Sequence, residues 1–312
     1  MGNFGKGLLV AVTSICVGLY IAVLLLDKET TSVVDARTVG PVHTVVDFPS
    51  GKTHLEIQGP EEKQLVILVH GASGPMAIWD QVMPSLAKNS RVLRYDLFGR
   101  GLSDRAKGKY DLDLYVTQLE GIIAKYSPDR NVQLVGSSMG AIIATAYTIA
   151  NPSKVDKIVL IGPAGFPIGA TSASKLMDYL IFGEIAMKLF GDKALVEHNT
   201  NYYSNPDKHK DSIDIFAKQL RTKGTKYAIL STMREVPMQD YKARYSNLGG
   251  LGKPVLLLWG EHDITFPYSN NSFMLEAIGG VEFERIPDSG HMPQLENPEL
   301  VVSALERFLT SY

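Results

Sequence analysis

The chain has 312 residues, 45% of them hydrophobic and 21% charged, with a formal net charge of −2. That is enough apolar material for one large α/β domain with an insertion, and the near-neutral balance, with no Lys/Arg stripe, argues against a nucleic-acid partner. The single cysteine, Cys16, excludes a disulfide framework, a thiol nucleophile in the main domain and a cysteine-based metal site.

In chain order, a short tail (1–6) leads into residues 7–26, which are uncharged and rich in Leu, Val and Ile. As a helix this run would be about 30 Å long, the thickness of a hydrocarbon layer. It is therefore expected to be a transmembrane signal anchor. The alternative is a cleaved signal peptide, but the run exceeds the usual h-region of about 7–15 residues and no A-x-A site follows Leu26. Met1-Gly2 begins like a myristoylation signal, yet Lys6 stands where Ser or Thr is wanted. The expected arrangement is a single-pass membrane protein with its main domain on the outer side, although Lys6 is balanced by Lys28 and Arg37 beyond the run. Residues 27–41 read as a polar stalk.

From residue 42 a hairpin (42–48 and 52–57) precedes strands that alternate with helices. Strands are expected at 65–69, 91–95, 132–135 and 155–161, with helices at 78–86, 112–126 and from Ala141 onward. That alternation implies a mostly parallel sheet with helices on both faces. It stops after Gly162. Residues 163–250 carry helical patterns and no buried strand. Met177, Leu180, Ile181, Ile185, Met187, Leu189 and Phe190 crowd one segment; Ile213, Ile215, Phe216, Leu220 and Leu230 mark another. This insertion is expected to form a helical cap. The sheet resumes at 255–259 and 281–286, with helices at 272–278 and 300–309, so the core comprises 42–162 and 251–312.

Between the strand at 132–135 and the helix after it lies Gly136-Ser137-Ser138-Met139-Gly140. The spacing G-x-S-x-G holds a serine on a sharp strand-to-helix turn, where glycines leave room for strained backbone. By chance alone the pattern would arise about 0.1 times in a chain of this length, so its context must carry it. Two further strands end in chemistry-bearing residues: 255–259 in Gly260-Glu261-His262-Asp263, and 281–286 in Asp288-Ser289-Gly290-His291. Sites of parallel α/β sheets gather beyond the carboxyl ends of strands. Ser138, Asp263 and His291 occur in the order Ser, Asp, His that suits a nucleophile elbow. A serine hydroxyl needs an imidazole to take its proton, and the imidazole needs a carboxylate to fix its tautomer. The oxyanion is expected to be held by the backbone N–H groups of Met139 and of Ala72, after His70-Gly71. His262 is the rival base and Glu261 the rival acid. His70 is expected to fix the oxyanion loop, and Asp104 and Asp288 to satisfy turn backbone. Gly99-Arg100-Gly101 lacks the third glycine and helix opening of a dinucleotide site and reads as a turn. No metal-ligand spacing appears, and no cofactor is expected.

These stretches, with the 96–104 turn and Glu296-Asn297-Pro298, resemble the α/β-hydrolase-fold serine hydrolases over residues 42–312. The layout is similar to capped esterases, monoacylglycerol-lipase-like enzymes and carbon–carbon bond hydrolases of aromatic degradation. The last group often has Asn before the nucleophile, a second Gly after the elbow and Trp after the His; here Ser137, Ala141 and Met292 stand in those places. An aspartate-nucleophile enzyme is disfavoured by Ser138. The leading expectation is hydrolysis of a small carboxylic ester, the apolar cap and the anchor favouring lipophilic esters with a short or medium acyl chain. Carbon–carbon hydrolysis of a diketone-like product is the rival, and a non-catalytic binding domain the alternative from another class. The oligomeric state is left open.

Overall fold

The computed structural model describes residues 2–26, 28–37, 44–167, 182–236 and 239–311. Met177, Leu180 and Ile181 of the expected cap lie outside the described residues.

Helices α1 (Gly2–Leu26) and α2 (Val33–Ala36) precede the hairpin β1 (Thr44–Phe48) and β2 (Gly51–Gln58). Then come β3 (Leu65–Val69), α3 (Met83–Leu86), β4 (Arg91–Tyr95), α4 (Leu112–Tyr126), β5 (Val132–Ser137), α5 (Met139–Ala150) and β6 (Val155–Ile161). Among the described residues, four α-helices lie between β6 and β7: α6 (Phe182–Thr200), α7 (Lys210–Gln219), α8 (Thr225–Glu235) and α9 (Lys242–Gly249). The chain finishes with β7 (Val255–Gly260), α10 (Asn271–Ala277), β8 (Glu282–Ile286), α11 (Pro293–Glu296) and α12 (Pro298–Thr310).

The eight strands form one sheet in the order β1-β2-β4-β3-β5-β6-β7-β8. β1 and β2 are antiparallel to their neighbours; from β4 to β8 every pairing is parallel. All residues of β3 and of β5 are buried, as continuous apolar runs covered on both faces must be. One apolar cluster joins Ile67, Leu134 and Leu160 to Tyr115, Ile142 and Tyr245; another joins Val66, Val135 and Leu256 to Trp79, Val301 and Phe308. The mostly parallel sheet with helices on both faces is the architecture expected from the alternation.

The helices between β6 and β7 have an apolar cluster of their own. Phe216 and Leu220 pack with Ile229, against Leu195, Val196 and Met233.

The membrane anchor is corrected. Among the described residues no helix is long and apolar enough to cross a membrane. Residues 2–26 do form a helix, and α1 touches α6, but several of its large apolar side chains, among them Val10, Ile15, Tyr20 and Leu25, are exposed. The single-pass placement and the outward-facing domain built on that anchor fall with it. Residues beyond α1 are also tied to the body. Thr31 bridges Thr222, Glu29 accepts from the Lys226 backbone N–H at 2.8 Å, and Arg37 pairs with Asp104 at 2.7 Å.

Candidate active site

Ser138 sits on the turn between β5 and α5 with φ 55° and ψ −120°, one of two described non-glycine residues at positive φ. An L-residue is held there only if its surroundings enforce it. The enforcement is visible. Ser138 N–H donates to Ile161 O at 2.9 Å, and its carbonyl accepts from Ala141 N–H at 3.0 Å. Side chains on the flanking glycines would collide with backbone. A Cβ on Gly136 would lie 2.4 Å from Gly140 O, and one on Gly140 would lie 2.2 Å from Val69 O.

β7 and β8 deliver the second and third residues. Asp263 is buried, and its Oδ1 accepts from Thr265 N–H at 2.9 Å and Phe266 N–H at 3.0 Å. Its Oδ2 lies 2.8 Å from His291 Nδ1. With Nδ1 donating to that carboxylate, Nε2 of a neutral His291 is left as acceptor. His291 is 2% exposed, packed between Phe266 and Tyr202. The rivals lie apart from this pair: Glu261 pairs with Arg285 at 2.7 Å, and His262 is exposed.

Gly71 runs beside Ser138, its position for a Cβ only 3.1 Å from Ser138 Cβ. Among the described residues, neither Ala72 N–H nor Met139 N–H donates to a protein acceptor. His70 braces this loop from beneath. Its Nε2 accepts from Leu97 N–H at 2.8 Å, so its proton is on Nδ1, which donates to Gly71 O at 2.8 Å. Complete burial outweighs the nearby Asp96 carboxylate and lowers the His70 pKa to about 4, so it stays neutral. Its hydrogen bond polarises the Gly71–Ala72 peptide, the N–H of which belongs to Ala72.

Sequence reasoning missed four supports of this site. Asp96 is buried; burial alone would raise its pKa, but His54 at 2.6 Å and the Met76 N–H bring it to about 2. Arg100, fully buried, donates to Ala72 O at 2.6 Å and to Thr232 Oγ1 on α8 at 2.8 Å. Glu296 accepts from Gly290 N–H and from Ser204 N–H, each at 2.7 Å. Tyr202, between α6 and α7, packs on His291. For Glu296 a signal existed in the 296–298 stretch; for Arg100 and Tyr202 nothing local in sequence reveals what they meet. Asp104 accepts from Lys52 N–H at 2.8 Å, and Asp288 takes positive φ at 50°.

A small cavity of about 10 Å³ is lined by Gly71, Ala72, Ser138, Tyr202 and Met292 among others. A larger one of about 190 Å³ shares Gly74, Ile78 and Met292 with it and reaches Asn199, Tyr203 and Phe216. Among the described residues no cluster of His, Cys, Asp and Glu could hold a metal ion. A hydroxyl on a strained turn, an imidazole with a carboxylate behind it and two unengaged amides can together move a proton and hold an oxyanion.

Three comparisons bear on this arrangement. Over 263 residues, 78% of this chain and 86% of the other, it is 40% identical to 2-hydroxymuconate semialdehyde hydrolase of Pseudomonas sp. (strain CF600). The enol-lactonase from Burkholderia xenovorans LB400 superposes with a TM-score of 0.73 at 18% identity, covering 86% of this chain and all of that one. A thermophilic esterase from Thermogutta terrifontis superposes with a TM-score of 0.72 at 22% identity, covering 86% and 96%. Residues 64–298 match the family described as alpha/beta hydrolase fold, which spans the sheet from β3 onward and every strand end just described. The chain therefore belongs to the alpha/beta hydrolase fold family and is a hydrolase.

Proposed function

We propose that the chain hydrolyses neutral carboxylic esters with a short or medium apolar acyl part, through Ser138, His291 and Asp263. The observation that carries this reading is the His291–Asp263 pair at 2.8 Å beyond β7 and β8, on the same sheet edge as a serine held at φ 55°. Ser138 Oγ attacks the acyl carbon while His291 Nε2 takes its proton. The carbonyl oxygen becomes an oxyanion held by Ala72 and Met139 N–H. Asp263 stabilises the imidazolium, which then protonates the departing alkoxide. Water, deprotonated by His291, attacks the acyl-enzyme and frees the acid and Ser138. The helical insertion serves as the cap over this edge.

The cavity wall supports an ester over a dienoate. Among the described residues lining the two cavities there is no Lys or Arg; Asp211 borders the larger one, as does Asp80, which pairs with Arg94. An anionic substrate would find no lysine or arginine side chain on that wall to pair with. The second reading, carbon–carbon hydrolysis, is favoured by the 40% identity to a semialdehyde hydrolase.

A panel of p-nitrophenyl esters set against a ring-cleavage product separates the two: ester turnover with no ring-product turnover is expected, and the reverse overturns the ester reading. Ser138→Ala and His291→Ala should each lower turnover by about four to six orders of magnitude, with the double variant scarcely worse. Fluorophosphonate labelling should be lost with Ser138→Ala. An active Ser138→Ala protein removes the mechanism.

A further inference from the structure

The segment between α6 and α7 is fastened to the machinery at both of its moving parts. Tyr202 O accepts from His291 N–H at 2.6 Å, and the Tyr202 ring meets the His291 imidazole edge-on, with centroids 5.1 Å apart. Its phenol lies 3.1 Å from Ser73 Oγ, one residue beyond Ala72. The same serine is held a second time from the insertion, its carbonyl accepting from Gln219 Nε2 at 2.6 Å. Two residues on, Ser204 Oγ donates to Asp288 O at 2.7 Å, and Glu296 accepts from Ser204 N–H and Gly290 N–H. A Cβ on Gly290 would stand 2.5 Å from Tyr202 O, so this contact has no slack. Tyr202 is 6% exposed and lines the small cavity with Ser138.

We propose that Tyr202 is a positioning residue: its ring and carbonyl seat His291, and its hydroxyl fixes the Ser73 end of the oxyanion loop. The inference rests on the serine-hydrolase reading above. Its consequence is that the insertion does more than cover the substrate. The base and the Ala72 donor come from opposite sides of β5, one from the loop after β8 and one from the loop after β3; Tyr202 touches His291 and, at Ser73, the second loop. A reacting group displaced by about 1 Å can lose on the order of a hundredfold in rate, so a link that fixes two such groups to each other acts on turnover rather than affinity.

The experiment compares Tyr202→Phe, Tyr202→Leu and Ser73→Ala in the full chain, with p-nitrophenyl butyrate as substrate and a fluorophosphonate as titrant. Tyr202→Phe keeps the ring and loses only the hydroxyl bridge; kcat should fall about five- to twentyfold with KM within about twofold and Tm unchanged. Ser73→Ala should do the same, and the double variant should be no worse than the poorer single, because both remove one link. Tyr202→Leu should lose about a hundredfold in kcat and in labelling rate together, since both need the Ser138 proton moved, and Phe at this position should recover most of that loss. Wild-type kcat in Tyr202→Leu, a loss confined to KM, or additive effects of Tyr202→Phe and Ser73→Ala would each overturn the proposal. If Tyr202→Leu does not fold, the Tyr202→Phe and Ser73→Ala cycle decides alone. Activity surviving in Ser138→Ala would instead sink the underlying reading, whatever the Tyr202 variants do.

Discussion

At the scale of single residues, His70 shows how a buried imidazole can shape a site without entering its chemistry. Its two hydrogen bonds require the neutral ring with the proton on Nδ1, because Nε2 accepts from Leu97 N–H. Burial lowers its pKa from 6.5 to about 4. In the unfolded chain the ring takes up a proton below about pH 6.5, while the folded ring resists until about pH 4, so the unfolded state binds more protons across that window. The stability His70 contributes is therefore complete above about pH 6.5 and is lost as pH falls toward 4, by on the order of 3 kcal/mol in total. Urea midpoints measured from pH 7 to pH 4.5 should fall in the wild type and fall less steeply in His70→Asn, which lacks the titrating ring. Parallel curves for the two proteins would show that the His70 pKa is not depressed. Protonating Nε2 also ejects the Leu97 N–H from its acceptor, so loss of ester turnover at the acid end should exceed the loss of folded protein.

Between elements, the deciding contact is the close approach of α5 to the end of β3. Gly140 lets the helix start directly against the strand: a Cβ there would sit 2.2 Å from Val69 O and 2.8 Å from His70 O, both backbone atoms that cannot rotate away. Gly140→Ala must push α5 off the sheet, at a cost of about 1–3 kcal/mol, and it moves Met139 N–H with it. Turnover should therefore drop more than stability does, read from kcat beside a urea curve. Gly279→Ala, where a Cβ would meet nothing within 4 Å, is the control and should stay within about 0.5 kcal/mol of wild type. An unchanged kcat in Gly140→Ala would mean the elbow tolerates displacement. Such turns are legible in sequence because their information is local: G-x-S-x-G, the apolar runs of β3 and β5, and the polar clusters ending β7 and β8 each occupy a few consecutive residues. The mostly parallel sheet follows from the same local periodicities. Tyr202 and Arg100 were illegible for the opposite reason. One is an aromatic among many in a helical insertion, the other a basic residue in a glycine turn, and only the folded chain brings them to His291 and Ala72. The 7–26 run differs: an uncharged apolar stretch of that length fits a spanning helix or one that meets a neighbouring helix, and composition does not distinguish them; here α1 meets α6.

Across the whole molecule, the N-terminal segment acts as a strap joining the insertion to the sheet. α1 lies along α6; Thr30 and Thr31 N–H both donate to Arg221 O, and Lys223 N–H donates to Thr31 O at 2.8 Å. Glu29 holds Lys226 N–H at the start of α8. At the other end Arg37 reaches Leu102 O at 2.8 Å and Asp104 at 2.7 Å, in the turn that follows β4. Arg37 is largely buried at 14% side-chain exposure, so its pair with Asp104 is worth more than a freely solvated one, though within the order of 1 kcal/mol typical of partly exposed pairs. A chain beginning at Thr44 keeps all eight strands and both large apolar clusters, and should fold. It loses every tie just named: those of α1, Glu29, Thr30 and Thr31 fall on the insertion, and that of Arg37 on the turn after β4. The expected result is a Tm lower by a few degrees, at about 2–4 °C per kcal/mol for a chain of this size, with protease cuts concentrated in residues 182–236. Since Tyr202 belongs to that same insertion, kcat toward a small ester should fall in step with the rise in cutting, and Arg37→Ala in the full chain should reproduce a fraction of both effects. Equal protease resistance in the shortened and full chains would mean that the insertion stands on its own cluster of Phe216, Leu220 and Ile229, and that the strap carries no stability.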